Sequence, residues 1–143
     1  ENIISNKKIN IWNAISPLKV DKELDEQTFV KCFVNKNDEI IFCFRRNPTY
    51  LKLKDIKNSV FKIQGLFAFR KNFLKNLNKM KISKYQNSVS IEQMRIIDSG
   101  FFIKAVKLSQ SLPSVNNFKE LEIVKRILSD DKNQKLLLKK ILN

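Results

Sequence analysis

Histidine is absent from this chain. That removes the side chain that most readily exchanges a proton near neutral pH, and the commonest nitrogen ligand for transition metals. Glycine is almost as scarce. Gly65 and Gly100 are the only two in 143 residues, too few for the Gly-rich loop that cradles a nucleotide's phosphates. No apolar run approaches the length needed to cross a bilayer. The opening stretch ENIISNKKINIW lacks the basic-then-apolar order of a secretory signal, and no initiator Met precedes it. The expectation is a cytoplasmic chain without membrane contact that begins inside a longer protein. Cys32 and Cys43 fall in β-rich runs of such a non-secreted chain, and read as reduced core thiols rather than a disulfide or a metal site.

What is present suits one folded domain over 1–143. Hydrophobic residues make up 43% of the chain and include eleven Phe, enough to build a core. The net charge of +14 could draw nucleic acid, anionic lipid or a phosphorylated substrate. The lysines are spread along the chain rather than gathered, so a solvated surface is the stronger reading and no nucleic-acid partner is expected.

Periodicity orders the segments. KINIWNAIS (8–16) alternates Ile9, Ile11 and Ile15 on one face and reads as a strand. FVKCFVNKNDEIIFCF (29–44) is two β-rich runs around the polar NKND, a hairpin. FKIQGLFAF (61–69) alternates again, with Gly65 where a bulge or a close backbone approach is expected. RKNFLKNLNKM (70–80) carries Phe73, Leu74 and Leu77 on a helical stripe. SIEQMRIIDSG (90–100) predicts a helix capped by Ser90 and Gln93, ending at Gly100, with Ile91, Met94 and Ile97 inward. FFIKAVKL (101–108) reads as a buried strand. NFKELEIVKRIL (117–128) reads as a helix with Asn117 as N-cap and Phe118, Leu121, Val124 and Leu128 as its apolar stripe. A last helix is expected over about 130–142, and 47–59 reads as a surface loop or an arm. Strands mixed with helices predict an α/β sheet with helices packed on it.

Four of these segments resemble, in order, the sugar-acid cytidylyltransferases, the 3-deoxy-manno-octulosonate (CMP-Kdo synthetase) branch in particular. ISPLKVDKELDEQTFVKCFVNKNDEIIFCFRR is similar to a family segment with a Val-Lys-Val run, a hairpin and an aromatic-Ser-Arg. FKIQGLFAFRKNFL is similar to its His-x-Gly-x-Tyr-x-aromatic-Arg strand and following helix. SIEQMRIIDSGFFIKAV looks like its Leu-Glu-Gln-Leu-Arg helix and next strand, and PSVNNFKELEIVKRIL like its Gly-Val-Asp-Thr-Pro-Glu-Asp-Leu-Glu-x-Val closing helix.

The resemblance implies a three-layer αβα nucleotide-diphospho-sugar transferase-like sheet with a β-hairpin and C-terminal helices. It implies Mg²⁺-dependent transfer of CMP from CTP to a sugar acid in a homodimer, for surface polysaccharide (lipopolysaccharide) synthesis. The family's Gly-rich CTP-binding segment and one metal-binding Asp are absent, so the chain covers the sugar-acid part of an incomplete domain and is expected to be inactive alone. Arg45 matches the family's Arg after the hairpin, where a guanidinium can grip a carboxylate. Its structural alternative is a solvated Arg beside Arg46, and Phe44 replaces the usual Ser. Gln93 matches a glutamine that the family uses for the sugar, its structural alternative being the helix cap. Gln64 is set against the family's His, Phe67 against its Tyr, and Asn116 against the Asp that helps to hold Mg²⁺. Glu92 and Arg95 are expected to orient their helix. The competing expectation is a non-catalytic basic binding or dimerisation module derived from that fold.

Overall fold

The computed structural model describes residues 8–111, 114–115 and 118–142. Its contacts group into two compact units, Glu1–Ser111 and Leu112–Asn143.

The first unit holds the strands β1 (Ile11–Pro17), β2 (Lys31–Val34), β3 (Glu39–Phe44), β4 (Val60–Phe69) and β5 (Ile103–Lys107). They hydrogen-bond in the order β1-β4-β2-β3-β5, and β5 returns to β1, closing a ring. Only the β1–β5 pair is parallel. The closed ring departs from the open sheet implied by the resemblance. The closure is made where Glu39 and Ile40 pair with Lys104 and Ile103. Strand alternation feeds two separate apolar clusters. Ile11, Ile15, Cys32, Val34, Cys43, Ile103 and Ala105 enter one, together with the helices α3 (Lys71–Leu77), α4 (Lys84–Val89) and α5 (Gln93–Asp98). Phe33, Phe44 and Val60 enter the other, with α1 (Lys22–Asp25) and α2 (Leu53–Ile56). The stretch expected to be a loop or arm, 47–59, thus contributes Leu53 and Ile56 to a core.

The NKND hairpin forms as expected. Asn35 Oδ1 accepts from the amides of Asn37 and Glu39, and Asp38 takes the left-handed conformation (φ 55°) that closes the turn. The bulge expected at Gly65 is present. Asn13 pairs with Phe67 and Ile15 with Ile63, so two β1 steps face four on β4. Nothing approaches the position of a Cβ at Gly65, so a bulge rather than a close approach explains that site.

Four helix and strand expectations need correction. Ser90 does not begin a helix. It ends α4 in the left-handed conformation (φ 53°), and Glu92 precedes α5. Ile96 is buried with Ile91 and Met94, while Ile97 packs at the margin. Of the 70–80 stripe, Phe73 is buried and Leu77 packs on the cluster, but Leu74 is exposed. The strand read over 101–108 is half-buried rather than buried, because Phe101 and Phe102 stay exposed and β5 alternates.

In the second unit, α6 (Phe118–Asp130) and α7 (Lys132–Leu142) contain no buried residue; of the expected stripe of α6, Phe118 and Leu128 are exposed and Leu121 and Val124 are partly exposed. Asp131 caps α7, its Oδ1 accepting from the amides of Asn133 and Gln134. The N-cap expected at Asn117 lies outside the described residues.

Candidate functional site

β1 sends Ile11 and Ile15 into one cluster, and Asn13 between them is a polar residue on the same face of the strand. It is 0% exposed, and a buried amide in such surroundings must be hydrogen-bonded. Its Nδ2 donates to Gln64 O (2.8 Å), Leu66 O (3.1 Å) and Ala14 O (3.1 Å). The first two are carbonyls of the Gly65 bulge, which leaves the ladder there. Asn13 Oδ1 accepts from Gln93 Nε2 at 3.2 Å.

Gln93 stands at the start of α5, which is fastened to the sheet by Met94. Its Sδ accepts from the Cys43 amide at 3.3 Å, and its side chain sits in the apolar cluster. Gln93 is 6% exposed. Its Oε1 accepts nothing from the described residues and is not among the sealed unsatisfied atoms, so the remaining exposure reaches it. The capping role that competed with a ligand role is therefore not taken up.

Gln64 is equally buried, but its side chain leaves by the opposite face. Ile63 before it belongs to the cluster of Ile15, while Gln64 Nε2 donates to Ser16 Oγ (2.8 Å) and Ser111 Oγ (3.4 Å). Only its main-chain carbonyl shares Asn13 with Gln93. In a His-x-Gly register counted back from Gly65, the His position falls on Ile63, one residue before Gln64. Phe67 is partly exposed and stacks on Phe69, with ring centres 5.4 Å apart.

Arg45 follows β3. Its Nη1 donates to Gln27 O at 2.9 Å, and no hydrogen bond joins it to Gln64 or Gln93. Its own carbonyl accepts from the ammonium of Lys31, a 0% exposed residue whose Nζ also reaches Glu26 O and Phe29 O. Burial pushes Lys31 down to about 8, against the pull of Asp25 and Glu26. Asn116 lies outside the described residues. Of the expected site residues, the structure thus joins Gln93's side chain to Gln64's main chain, and leaves Arg45 separate.

Asn13 and Lys31 were not singled out by sequence. The available signal was the same for both: a polar side chain at a core-facing step of an otherwise apolar strand. The two cysteines pair across β2 and β3 and are free and buried. Burial drives Cys43 up to about 12 and raises Cys32 well above the ordinary thiol range, as reduced core thiols require. Among the described residues no three His, Cys, Asp or Glu side chains gather as metal ligands. No described helix is long and apolar enough to cross a membrane.

Comparison with known proteins places the fold first. A solved structure of CMP:2-keto-3-deoxy-manno-octonic acid synthetase complexed with CTP superposes with a TM-score of 0.79, covering 90% of this chain and 52% of that one at 21% identity. The chain therefore shares the α/β fold of that structure. In sequence, the chain is similar to the 3-deoxy-manno-octulosonate cytidylyltransferases. The enzyme of Chlorobium phaeobacteroides (strain BS1) is 28% identical over 109 residues, 76% of this chain and 44% of the relative. That of Fusobacterium nucleatum is 27% identical over 124 residues, 87% of this chain and 50% of the relative. The chain spans about half the length of the curated relatives it matches. No family model matches it.

Proposed function

We propose that this chain is the sugar-acid portion of a cytidylyltransferase that joins CTP and 3-deoxy-manno-octulosonate (Kdo), or a related sugar acid, to give CMP-sugar and pyrophosphate. The setting would be surface polysaccharide synthesis in the cytoplasm, and the working form a homodimer. A sugar hydroxyl attacks the α-phosphorus, the bond to the β-phosphate oxygen breaks, and pyrophosphate leaves with the hydroxyl proton passing to solvent. Little covalent chemistry falls to the protein, so positioning and charge neutralisation dominate. The layering in this reading is that of an αβα transferase sheet, with α3–α5 and α1–α2 serving different clusters of the same strands.

The observation that carries the reading is Gln93. It lies in the segment that resembles the family's sugar-binding helix, and its carboxamide oxygen is left without a donor from the described residues. Arg45 is the partner for the sugar carboxylate, since its guanidinium has one described acceptor, Gln27 O, and donors to spare. Gln64, bound to Ser16 on the other face, supports the strand rather than the sugar. Mg²⁺ would neutralise the phosphates when bound, with Asn116 among its ligands, and that assignment rests on the resemblance alone.

The test is titration of the full 143-residue chain with Kdo, followed by ligand-observed NMR. Uptake that weakens in Arg45→Ala and in Gln93→Met is expected. The same chain, joined to the coding sequence upstream of it, should release pyrophosphate from CTP only when Kdo is present. Absence of both uptake and release would sink the proposal.

A further inference from the structure

We infer that Asn13 is a positioning residue that sets the polarity of the Gln93 carboxamide, so that the end of Gln93 left open to a ligand is its acceptor oxygen. The inference deepens the sugar-acid reading and rests on it.

An asparagine amide is ambiguous until its partners are known, because its oxygen and nitrogen have the same shape and opposite hydrogen-bonding character. Here the partners decide. One end of Asn13 faces three carbonyl oxygens, Gln64 O at 2.8 Å, Leu66 O at 3.1 Å and Ala14 O at 3.1 Å, which can only accept. That end must be the NH₂ group. Oδ1 is then turned to α5, where it needs a donor, and Gln93 supplies Nε2 at 3.2 Å. Reversing either amide would set oxygen against oxygen at a buried position and leave those groups unsatisfied. The order bulge carbonyl, Asn13 NH₂, Asn13 oxygen, Gln93 NH₂ therefore leaves Gln93 Oε1 as the free end. An acceptor at that end suits a sugar hydroxyl, which can donate. It opposes a carboxylate, which cannot, so the acid group of the sugar needs a cation to receive it. The bulge takes part in the specificity, because only a strand that leaves its ladder frees the carbonyls that orient Asn13.

The experiment uses the ¹⁵N-labelled full chain. The side-chain NH₂ signal of Gln93 is assigned by its loss in Gln93→Met. In the wild type it should exchange with solvent more slowly than the NH₂ of exposed Gln134, and it should keep its shift when Kdo is added. In Asn13→Ala its exchange should quicken, and Kdo uptake should fall up to roughly tenfold, the size of one lost hydrogen bond. Wild-type exchange as fast as that of Gln134, or a Gln93 NH₂ that shifts because it donates to Kdo, overturns the inference even if Asn13→Ala fails to fold. Full uptake by a folded Asn13→Ala also overturns it. If the wild type takes up no Kdo while its Gln93 NH₂ stays protected, the sugar-acid reading fails and the ligand half of this inference fails with it. The Asn13–Gln93 bond itself would stand.

Discussion

Replacing Lys31 with Met should make the chain lose a pH dependence that few lysines confer. Lys31 is 0% exposed, its ammonium hydrogen-bonded to the carbonyls of Glu26, Phe29 and Arg45 and 5.1 Å and 5.8 Å from the Phe29 and Phe44 ring centres. Those partners offset part of the cost of burying a charge, and burial still prevails, holding the folded pKa at about 8 against an ordinary value of 10.5. The unfolded chain therefore binds more protons than the folded one between these values, so stability rises with pH across that window, and below about 8 the full penalty is present. At about 1.4 kcal/mol for each pH unit of displacement, the wild type should gain about 2–3 kcal/mol between pH 7 and pH 10 that Lys31→Met does not. The two buried thiols titrate in the opposite sense, since their raised values mean that stability falls once the unfolded thiols ionise. They are common to both proteins and cancel in the difference. Met keeps the apolar stem but leaves three carbonyls to find other donors, so at pH 10 the variant should be the less stable by at least about 1–2 kcal/mol. Urea unfolding of both proteins at pH 7, 8, 9 and 10 measures this. A wild-type-minus-variant difference that stays flat with pH would refute the argument, as it would mean that the buried amine is solvated as well in the fold as in water.

Three further outcomes are expected. Cys32 and Cys43 should resist a thiol reagent at pH 8 in the native chain and react together on unfolding, and fast native labelling would contradict their burial. Gly100→Ala should cost about 1 kcal/mol because φ is +80° there, whereas Gly65→Ala, with open space at its Cβ position, should be close to neutral. Thermal melts of the two variants that rank the other way would contradict the assigned backbone. The Asp38–Lys107 pair (2.6 Å) holds the Asp38 carboxyl below its ordinary value of 3.8, so its contribution is present above that value and fades as pH falls through the lowered one. Both side chains are about half exposed, so Asp38→Asn should cost less than about 1 kcal/mol at pH 7 in low salt, and a larger loss would show that the turn conformation at Asp38 matters more than its charge.

Much of the first unit was legible in the order of its residues. Period-two rows such as Ile9, Ile11, Ile15 and the polar NKND between two β-rich runs specify strands and a hairpin because a strand exposes alternate residues to one face. Gly65 marked its own bulge for a similar local reason. Helix limits around 90 were misread because Ser90 and Gln93 satisfy a capping pattern that the chain does not use; it places Ser90 in a left-handed turn and turns Gln93 toward β1. A local motif competes with partners 80 residues away, and nothing in the motif reveals them.

The sequence by itself determined which segments become strands, where the turn and the bulge fall, that the thiols lie in the core, and which family the order of motifs resembles. These depend on near neighbours and on residue chemistry. Only the tertiary structure decided that the strands close on themselves, that Gln64 and Gln93 send their side chains to different faces, and that Asn13 and Lys31 are the buried polar groups on which the candidate site is hung. Face and partner depend on register between distant strands, where a shift of one residue exchanges inside for outside, and a single chain does not write its register in any one segment.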